Sequence, residues 1–313
     1  MHAILPEVAE ALAEGRGVVA LESTLIAHGL PWPDNLETAR QSEAAVRDAG
    51  AIPATVAVLG GVIRVGLLDG EVEALARGKG ALKASRRDLS AAVAQGRDAA
   101  TTVSATLWIA RKFGLPVLAT GGLGGVHRGA ATTFDISTDL DELARADGML
   151  VVCSGVKSIL DVPATLDALE TRGVAVVGYR TDTFPAFTTA SSGLPLDVRV
   201  DDPEVAAALV RAHRDLGLPG ALVLAQAVAG EDALDRDVME AALAEGLERA
   251  GALGVSGKAV TPFLLDHLRG ATGGLSLRAN RALIVANAGL AGRVAVALGV
   301  SRPPAEAGRP GST

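Results

Sequence analysis

Short runs of β-branched and aliphatic residues alternate, over the first two thirds of the chain, with longer Ala-rich segments that carry charges at helical spacing. The apolar runs are Gly17-Val-Val-Ala-Leu21, Ala54-Thr-Val-Ala-Val-Leu59, Pro116-Val-Leu-Ala-Thr120, Gly148-Met-Leu-Val-Val-Cys153 and Val174-Ala-Val-Val-Gly178. Runs this apolar and this short predict strands buried on both faces of a mostly parallel sheet, joined by crossover helices. Helices are predicted over 33–49 with Asp34 as N-cap, 85–96, 104–113, 158–172 and 204–216. From about Gly220 the pattern turns helical, over 236–251, 261–272 and 276–298. The expected fold is α/β, a mostly parallel central sheet flanked by helices in three layers (α/β/α) with a helix-rich C-terminal third. No linker divides residues 1–300, expected as one catalytic domain, and the Pro/Gly-rich stretch 301–313 is expected to be a disordered tail.

Composition narrows what such a fold can do. Of 313 residues 49% are apolar but only 3% aromatic, so the core is built from small aliphatic side chains and a base-stacking platform is not expected. A net charge of -7 argues against a nucleic-acid surface, which needs clustered Lys and Arg. Cys153 is the single cysteine, which excludes an intramolecular disulfide and fits a reducing compartment, with a buried structural thiol expected. The N-terminus lacks a basic segment followed by a long apolar one, so no signal peptide is read there. The most apolar stretch, 282–300, is interrupted by Asn287 and Arg293 and reads as a buried helix, with no membrane span. A soluble, cytoplasmic protein is expected.

Five segments carry chemistry. Leu21-Glu-Ser-Thr puts Glu22 and Ser23 at a carboxyl strand end, where α/β sheets bind ligands, although a strand, loop and capped helix would account for it too. Leu82-Lys-Ala-Ser-Arg-Arg-Asp88 opens a helix, with Ser85 as N-cap and Asp88 closing a capping box. Its three cations make either a phosphate site or a solvated basic patch. Thr120-Gly-Gly-Leu-Gly-Gly-Val-His-Arg-Gly129 is neither a P-loop nor a dinucleotide fingerprint, but its glycines can bring backbone close to a ligand, with positive φ. Asp135 and Asp139, among hydroxyls in Thr132-Thr-Phe-Asp-Ile-Ser-Thr-Asp139, suit a hard divalent ion that keeps most of its waters. Asp139 could instead cap a helix over 140–146. Lys157 follows the strand ending at Cys153, and a lysine there, desolvated and at the start of a helix near Ser158, is disposed toward a neutral, nucleophilic amine.

Together these segments, with Gly257-Lys-Ala-Val-Thr-Pro-Phe-Leu-Leu265 and Ser276-Leu-Arg-Ala-Asn280, resemble the pseudouridine-5'-phosphate glycosidase family, which includes the indigoidine synthase A-like proteins. The resemblance runs in order over nearly the whole chain. It implies that Lys157 forms a covalent adduct with C1' of the opened ribose and that Glu22 is the proton donor. It further implies that Lys83, Ser137 and Thr138 hold the phosphorylated sugar and that Val103 lines the site. Asp135 would bind one largely hydrated Mn²⁺, and His127, Asp139 and Asn280 would complete the pocket. A homotrimer is implied as well, acting on a small-molecule substrate. Two other readings use the same residues: a Schiff-base aldolase or lyase on another sugar phosphate, and a phosphosugar-binding regulator without turnover.

Overall fold

A computed structural model describes residues 2–299 except 79 and 256. The expected tail at 301–313 lies outside the described residues. The strands are β1 (His2–Ile4), β2 (Val18–Leu21), β3 (Ile52–Leu59), β4 (Val62–Val65), β5 (Leu82–Ala84), β6 (Ala99–Thr101), β7 (Val117–Ala119), β8 (Leu150–Cys153), β9 (Ala175–Tyr179), β10 (Arg199–Val200) and β11 (Leu222–Gln226). The helices are α1 (Pro6–Ala13), α2 (Asp34–Asp48), α3 (Asp69–Arg77), α4 (Leu89–Ala94), α5 (Val103–Phe113), α6 (Ala130–Thr133), α7 (Thr138–Leu143), α8 (Val162–Thr171), α9 (Pro203–Asp215), α10 (Arg236–Ala252), α11 (Val260–Ala271) and α12 (Leu275–Gly299).

The strands form one open sheet in the order β1-β4-β3-β2-β7-β8-β11-β9-β10, with β6 and then β5 branching from β3. Pairing is parallel throughout except β3 with β4 and β3 with β6. The central strands are apolar on both sides because both sides are covered. Val19, Leu21, Val117, Ala119, Leu150 and Val152 pack with residues of α2, α9 and α12. Their alternates Val18, Ala20, Leu118, Val151 and Cys153 pack with α5, α7 and α8. The expected three-layer α/β/α class holds.

Three local expectations change. Leu222-Val-Leu-Ala-Gln226 lies in the part read as helix-dominated, where no strand is expected, yet it forms β11, a central strand between β8 and β9. Five residues are too few for periodicity to separate a strand from the helices around it. Asp34 is the first residue of α2 rather than its cap, and its carboxylate instead takes an ion pair from Arg281 of α12. The helix expected from Ser158 begins at Val162, where Asp161 accepts from Ala164 N at 3.1 Å. Helix α12 is apolar and 25 residues long, enough by length to cross a membrane, but its buried residues, among them Ala288, Leu290, Ala291, Val294 and Ala295, pack against the sheet and its neighbouring helices.

Candidate active site

Parallel strands deliver their carboxyl ends to one side of a sheet, and here the segments leaving β2, β7 and β8 meet there. Glu22, the first residue after β2, is only 7% exposed. Its two carboxyl oxygens take hydroxyls from two directions, Thr120 on one and Thr24 on the other. Thr24 Oγ1 also lies 2.8 Å from the Thr101 carbonyl, so one hydroxyl hydrogen faces two acceptors. Neighbouring Ser23 is consumed structurally, donating to Val56 O at 2.6 Å and accepting from Thr101 N at 2.9 Å.

The turn after β8 carries Lys157 and is fastened to the glycine loop after β7. Ser154 N donates to Gly121 O (2.9 Å), Leu123 N to Gly155 O (2.9 Å) and Lys157 N to Leu123 O (3.1 Å). Gly155 sits at φ 76°, and a Cβ on it would lie 2.0 Å from Pro185 O. The loop glycines 121, 122, 124 and 125 do not take up the expected positive φ; they are small because the structure closes on them. At Gly124 a Cβ would meet Ser137 Oγ at 2.3 Å and Asp139 Oδ2 at 2.7 Å. The helix-end contribution expected for Lys157 is absent, since α8 starts five residues later behind its own Asp161 cap. Lys157 is placed by backbone hydrogen bonds rather than by a helix terminus.

Asp139 is buried within the first turn of α7, whose N-cap is Ser137. Its carboxylate accepts Ser104 N on one oxygen and Gly124 N on the other, both at 2.9 Å, tying α5 to the glycine loop. Both oxygens are therefore engaged. Asp135, with its side chain 43% exposed, keeps its carboxylate available 3.9 Å from His127 Nδ1. Burial holds the His127 imidazole below its ordinary pKa; Asp135 opposes that, while Lys157 and Lys83 add to it. Among the described residues no three His, Cys, Asp or Glu side chains gather as an ion cage. A single available carboxylate fits an ion that keeps several waters, and fits a dedicated all-protein cage poorly.

Lys83 lies on β5 and Val103 opens α5. Of the neighbouring cations, Arg86 is bound to the buried Glu142 at 2.8 Å, whereas Arg87 reaches the cavity. Asp88 Oδ2 accepts from Ser85 N at 2.9 Å, the carboxylate half of the expected capping box, and from Ser85 Oγ at 2.7 Å, around a single 3₁₀ turn that leads into α4. One cavity of about 410 Å³ is lined by Lys157, Glu22, Lys83, Val103, His127, Asp135, Ser137, Thr138, Asp139 and Asn280. All ten candidate residues, from seven separate segments, thus converge on one space.

A family model described as indigoidine synthase A like protein matches residues 7–297. The chain belongs to the indigoidine synthase A-like family. A curated relative from Herpetosiphon aurantiacus, named pseudouridine-5'-phosphate glycosidase, is 54% identical over 295 residues, covering 94% of this chain and 97% of its own. Another of that name, from Caldanaerobacter subterraneus subsp. tengcongensis, is 51% identical over 292 residues, covering 93% and 95%. Among solved structures, the prealnumycin C-glycosynthase AlnA in complex with ribulose 5-phosphate superposes with a TM-score of 0.88, at 43% identity over 96% of this chain and 97% of that one. An indigoidine synthase A-like protein from Thermotoga maritima gives 0.87 at 38% identity, over 96% and 97%.

Within this family architecture three residues at or beside the site, His28, Phe187 and Asn287, have no role assigned from the sequence. His28, on a single π-helical turn over Leu25–Gly29, lines the cavity with its Nε2 buried and lacking a hydrogen-bond partner. Its pKa is lowered, first by burial and then by Lys83, while the Leu82 and Ala81 carbonyls act the other way. Arg87, one of the three cations weighed as a phosphate site or a basic patch, does line the cavity. Phe187 packs edge-on to the loop, 2.7 Å from where a Gly122 Cβ would stand. Asn287, read only as an interruption in an apolar helix, is wholly buried and holds Thr120 O (2.9 Å), Ser154 Oγ (3.1 Å) and Gln226 Nε2 (3.2 Å). It fastens the ends of β7, β8 and β11 together. Cys153 is the buried thiol expected, its pKa pushed up to about 12 by burial.

Proposed function

We propose that this chain reversibly cleaves the C–C glycosidic bond of pseudouridine 5'-phosphate, giving uracil and ribose 5-phosphate. The observation that carries the proposal is the convergence of an amine, a clamped carboxyl, a cationic corner and an available carboxylate on one cavity. It is joined by relatives of that name at about half identity over nearly their full length.

The base of this substrate leaves through carbon C5, which has no lone pair for an acid to protonate, so the paired-carboxylate route of ordinary glycosidases is insufficient. An amine supplies the missing electron density. Lys157 Nζ attacks C1' and the C1'–O4' bond breaks, its electron pair taking a proton to become the 4'-hydroxyl. Glu22 then protonates C5, the C1'–C5 bond breaks with its electrons going to the ring, and C1' remains as an iminium on Lys157. Water adds to C1', the C–N bond breaks, and ribose 5-phosphate departs with Lys157 restored. Thr24 suits this acid, because its hydroxyl can turn toward Glu22 when the carboxyl is ionised and toward the Thr101 carbonyl when it carries its proton. Lys83, Arg87, Ser137 and Thr138 form the phosphate corner, with Val103 beside it. Asp139 holds that corner in register through Ser104 and Gly124. His127 and Asn280 complete the pocket. Asp135 would hold one hydrated Mn²⁺, whose charge would polarise the sugar phosphate when bound. A cytoplasmic homotrimer completes the proposal.

Uracil release from pseudouridine 5'-phosphate with Mn²⁺ present tests the reaction, and borohydride reduction during turnover tests the adduct. The expected result is a stable ribose phosphate adduct whose mass maps to Lys157. Release of uracil at an undiminished rate by Lys157→Ala would overturn the mechanism, and sedimentation at the mass of one chain would overturn the trimer.

A further inference from the structure

Beside the catalytic cavity lies a second one of about 230 Å³. Seven residues line both, among them His28, Leu30, Phe187 and Asn280, so the two spaces share a wall. Of the ten candidate site residues only Asn280 reaches the second cavity; Lys157, Glu22, Lys83 and Asp135 do not. The reacting groups and the phosphate corner thus belong to the first space alone, and at about 410 Å³ it already falls in the range that holds a complete small ligand.

The shared wall is chemically unfinished. His28 Nε2 and Asn280 Oδ1 are both buried without a hydrogen-bond partner, and these are two of four such side-chain atoms among the described residues. Buried polar atoms in this state are rare and call for a partner that the chain itself does not provide. Beyond that wall the second cavity is apolar at Met239, Leu268 and Leu277, with Ser158, Thr188, Ser276 and the Asp266–Arg269 ion pair giving polar points. An apolar chamber with a few polar points, reached past two unpaired acceptor atoms, is the lining that an aromatic-substituted ring keeping one ring N–H for either acceptor would satisfy.

We infer that the second cavity is an extension of the aglycone site, and that it admits nucleobase-like aglycones bearing an aromatic or apolar substituent, with uracil filling only the first part. The inference rests on the proposed C-glycosidase reading. In the synthetic direction the reaction is unchanged by the extension: C1' of ribose 5-phosphate bonds to ring C5 and to O4', and the carbonyl oxygen leaves as water with the C5 proton and the 4'-hydroxyl proton. The substituent takes no part in bond making; it occupies space that uracil leaves open. The solved neighbour named as a C-glycosynthase for prealnumycin, at a TM-score of 0.88, carries on this same fold an activity named for another aglycone.

The test offers ribose 5-phosphate with uracil, 1-benzyluracil or 3-benzyluracil to the full chain with Mn²⁺ and weighs the C-nucleotide products by mass. Leu277 lines the second cavity alone and is half-buried, so Leu277→Trp fills the extension without reaching the first space. At least one benzyluracil is expected to couple. Leu277→Trp is expected to lower its kcat/KM by about tenfold or more while uracil stays within about twofold, and Leu277→Ala is expected to spare both. Coupling of uracil but of neither benzyluracil overturns the inference and leaves the reaction standing, as does an equal loss of uracil and benzyluracil coupling in a Leu277→Trp chain that is still folded by circular dichroism. Failure of uracil itself to couple overturns the reaction and the inference with it.

Discussion

The cavity has two walls built on different physical terms. The sheet wall, made by the segments leaving β2, β7 and β8, is saturated: Glu22 is clamped by two threonines, the Lys157 turn by three backbone hydrogen bonds, Asp139 by two amides. The helical wall, made by the turn at His28 and by α11 and α12, leaves His28 Nε2 and Asn280 Oδ1 buried and unpaired. A saturated wall fixes positions to fractions of an ångström, which bond making requires. An unsaturated wall is completed only by what it binds. Bond making is thus assigned to the sheet wall and recognition of the base to the helical one.

The largest effects should come from the sheet wall and fall on kcat. Lys157→Ala is expected to cut kcat by about 10³-fold or more, since no other amine stands in the same turn to replace it. Glu22→Gln keeps the clamp's shape and removes the transferable proton, with an expected loss of about 10²–10⁴-fold. Thr120→Val, which strips one of the two hydroxyls from Glu22, is expected to cost about tenfold in kcat, with Thr120→Ser restoring most of it. Single-turnover kinetics reads all three, and a dominant rise in KM for any of them would erase the distinction between the walls.

On the helical wall the distinction predicts the opposite split. Asn280→Ala is expected to raise KM for the nucleotide by about tenfold, with kcat changed by much less, because it removes a buried carbonyl oxygen that waits for the ligand. Steady-state kinetics decides it; a kcat loss like that of Glu22→Gln would put Asn280 in the chemistry.

Between the walls stands Asn287, on α12 but bonded to the ends of three strands. Asn287→Leu leaves the Thr120 carbonyl and the Ser154 hydroxyl unanswered in a dry site, so about 2–3 kcal/mol of stability should be lost, read as a drop in Tm. Full stability in that variant would show the two walls to be independent.

The same two walls were unequally legible in the sequence. Strand-end residues announce themselves because polar or glycine-rich stretches break sharply from buried runs, as Glu-Ser-Thr does after Leu21 and Gly-Gly-Leu-Gly-Gly after Thr120. The resemblance then tied those breaks to one site, and all ten residues share one cavity. What the pattern hid was set by distant partners. His28 in Leu-Ile-Ala-His-Gly reads as an incidental polar residue, and only folding reveals that nothing answers its Nε2. Asn287 reads as a blemish in an apolar helix because its partners lie 61 to 167 residues away. Strand β11 was hidden by helices on either side, and the start of α8 by an Asp161 whose capping role depends on where the preceding turn is fastened. Periodicity reports which face is buried; it does not report what meets a side chain there.

The smallest expected effect probes both walls at once through pH. His127 and His28 have folded pKa values below the ordinary imidazole value, first because they are buried and also because Lys83 faces both and Lys157 faces His127. Above the unfolded value neither state carries the proton, and the two rings cost nothing. As pH falls through about 6.5 the unfolded chain takes up protons that the folded one refuses, so stability declines until the folded pKa values are reached. The buried carboxyls act with the opposite sign: Glu43 and Glu142, raised by burial, favour the folded state as pH falls toward their own range. Comparing the native chain with a His28→Gln, His127→Gln variant cancels that carboxyl background. Between pH 7.5 and 5.5 the native chain is expected to lose more Tm than the variant, by no more than about 2–4 °C. Parallel curves would mean that neither imidazole is as desolvated as its surroundings imply, and that the helical wall is wetter than its unpaired atoms indicate.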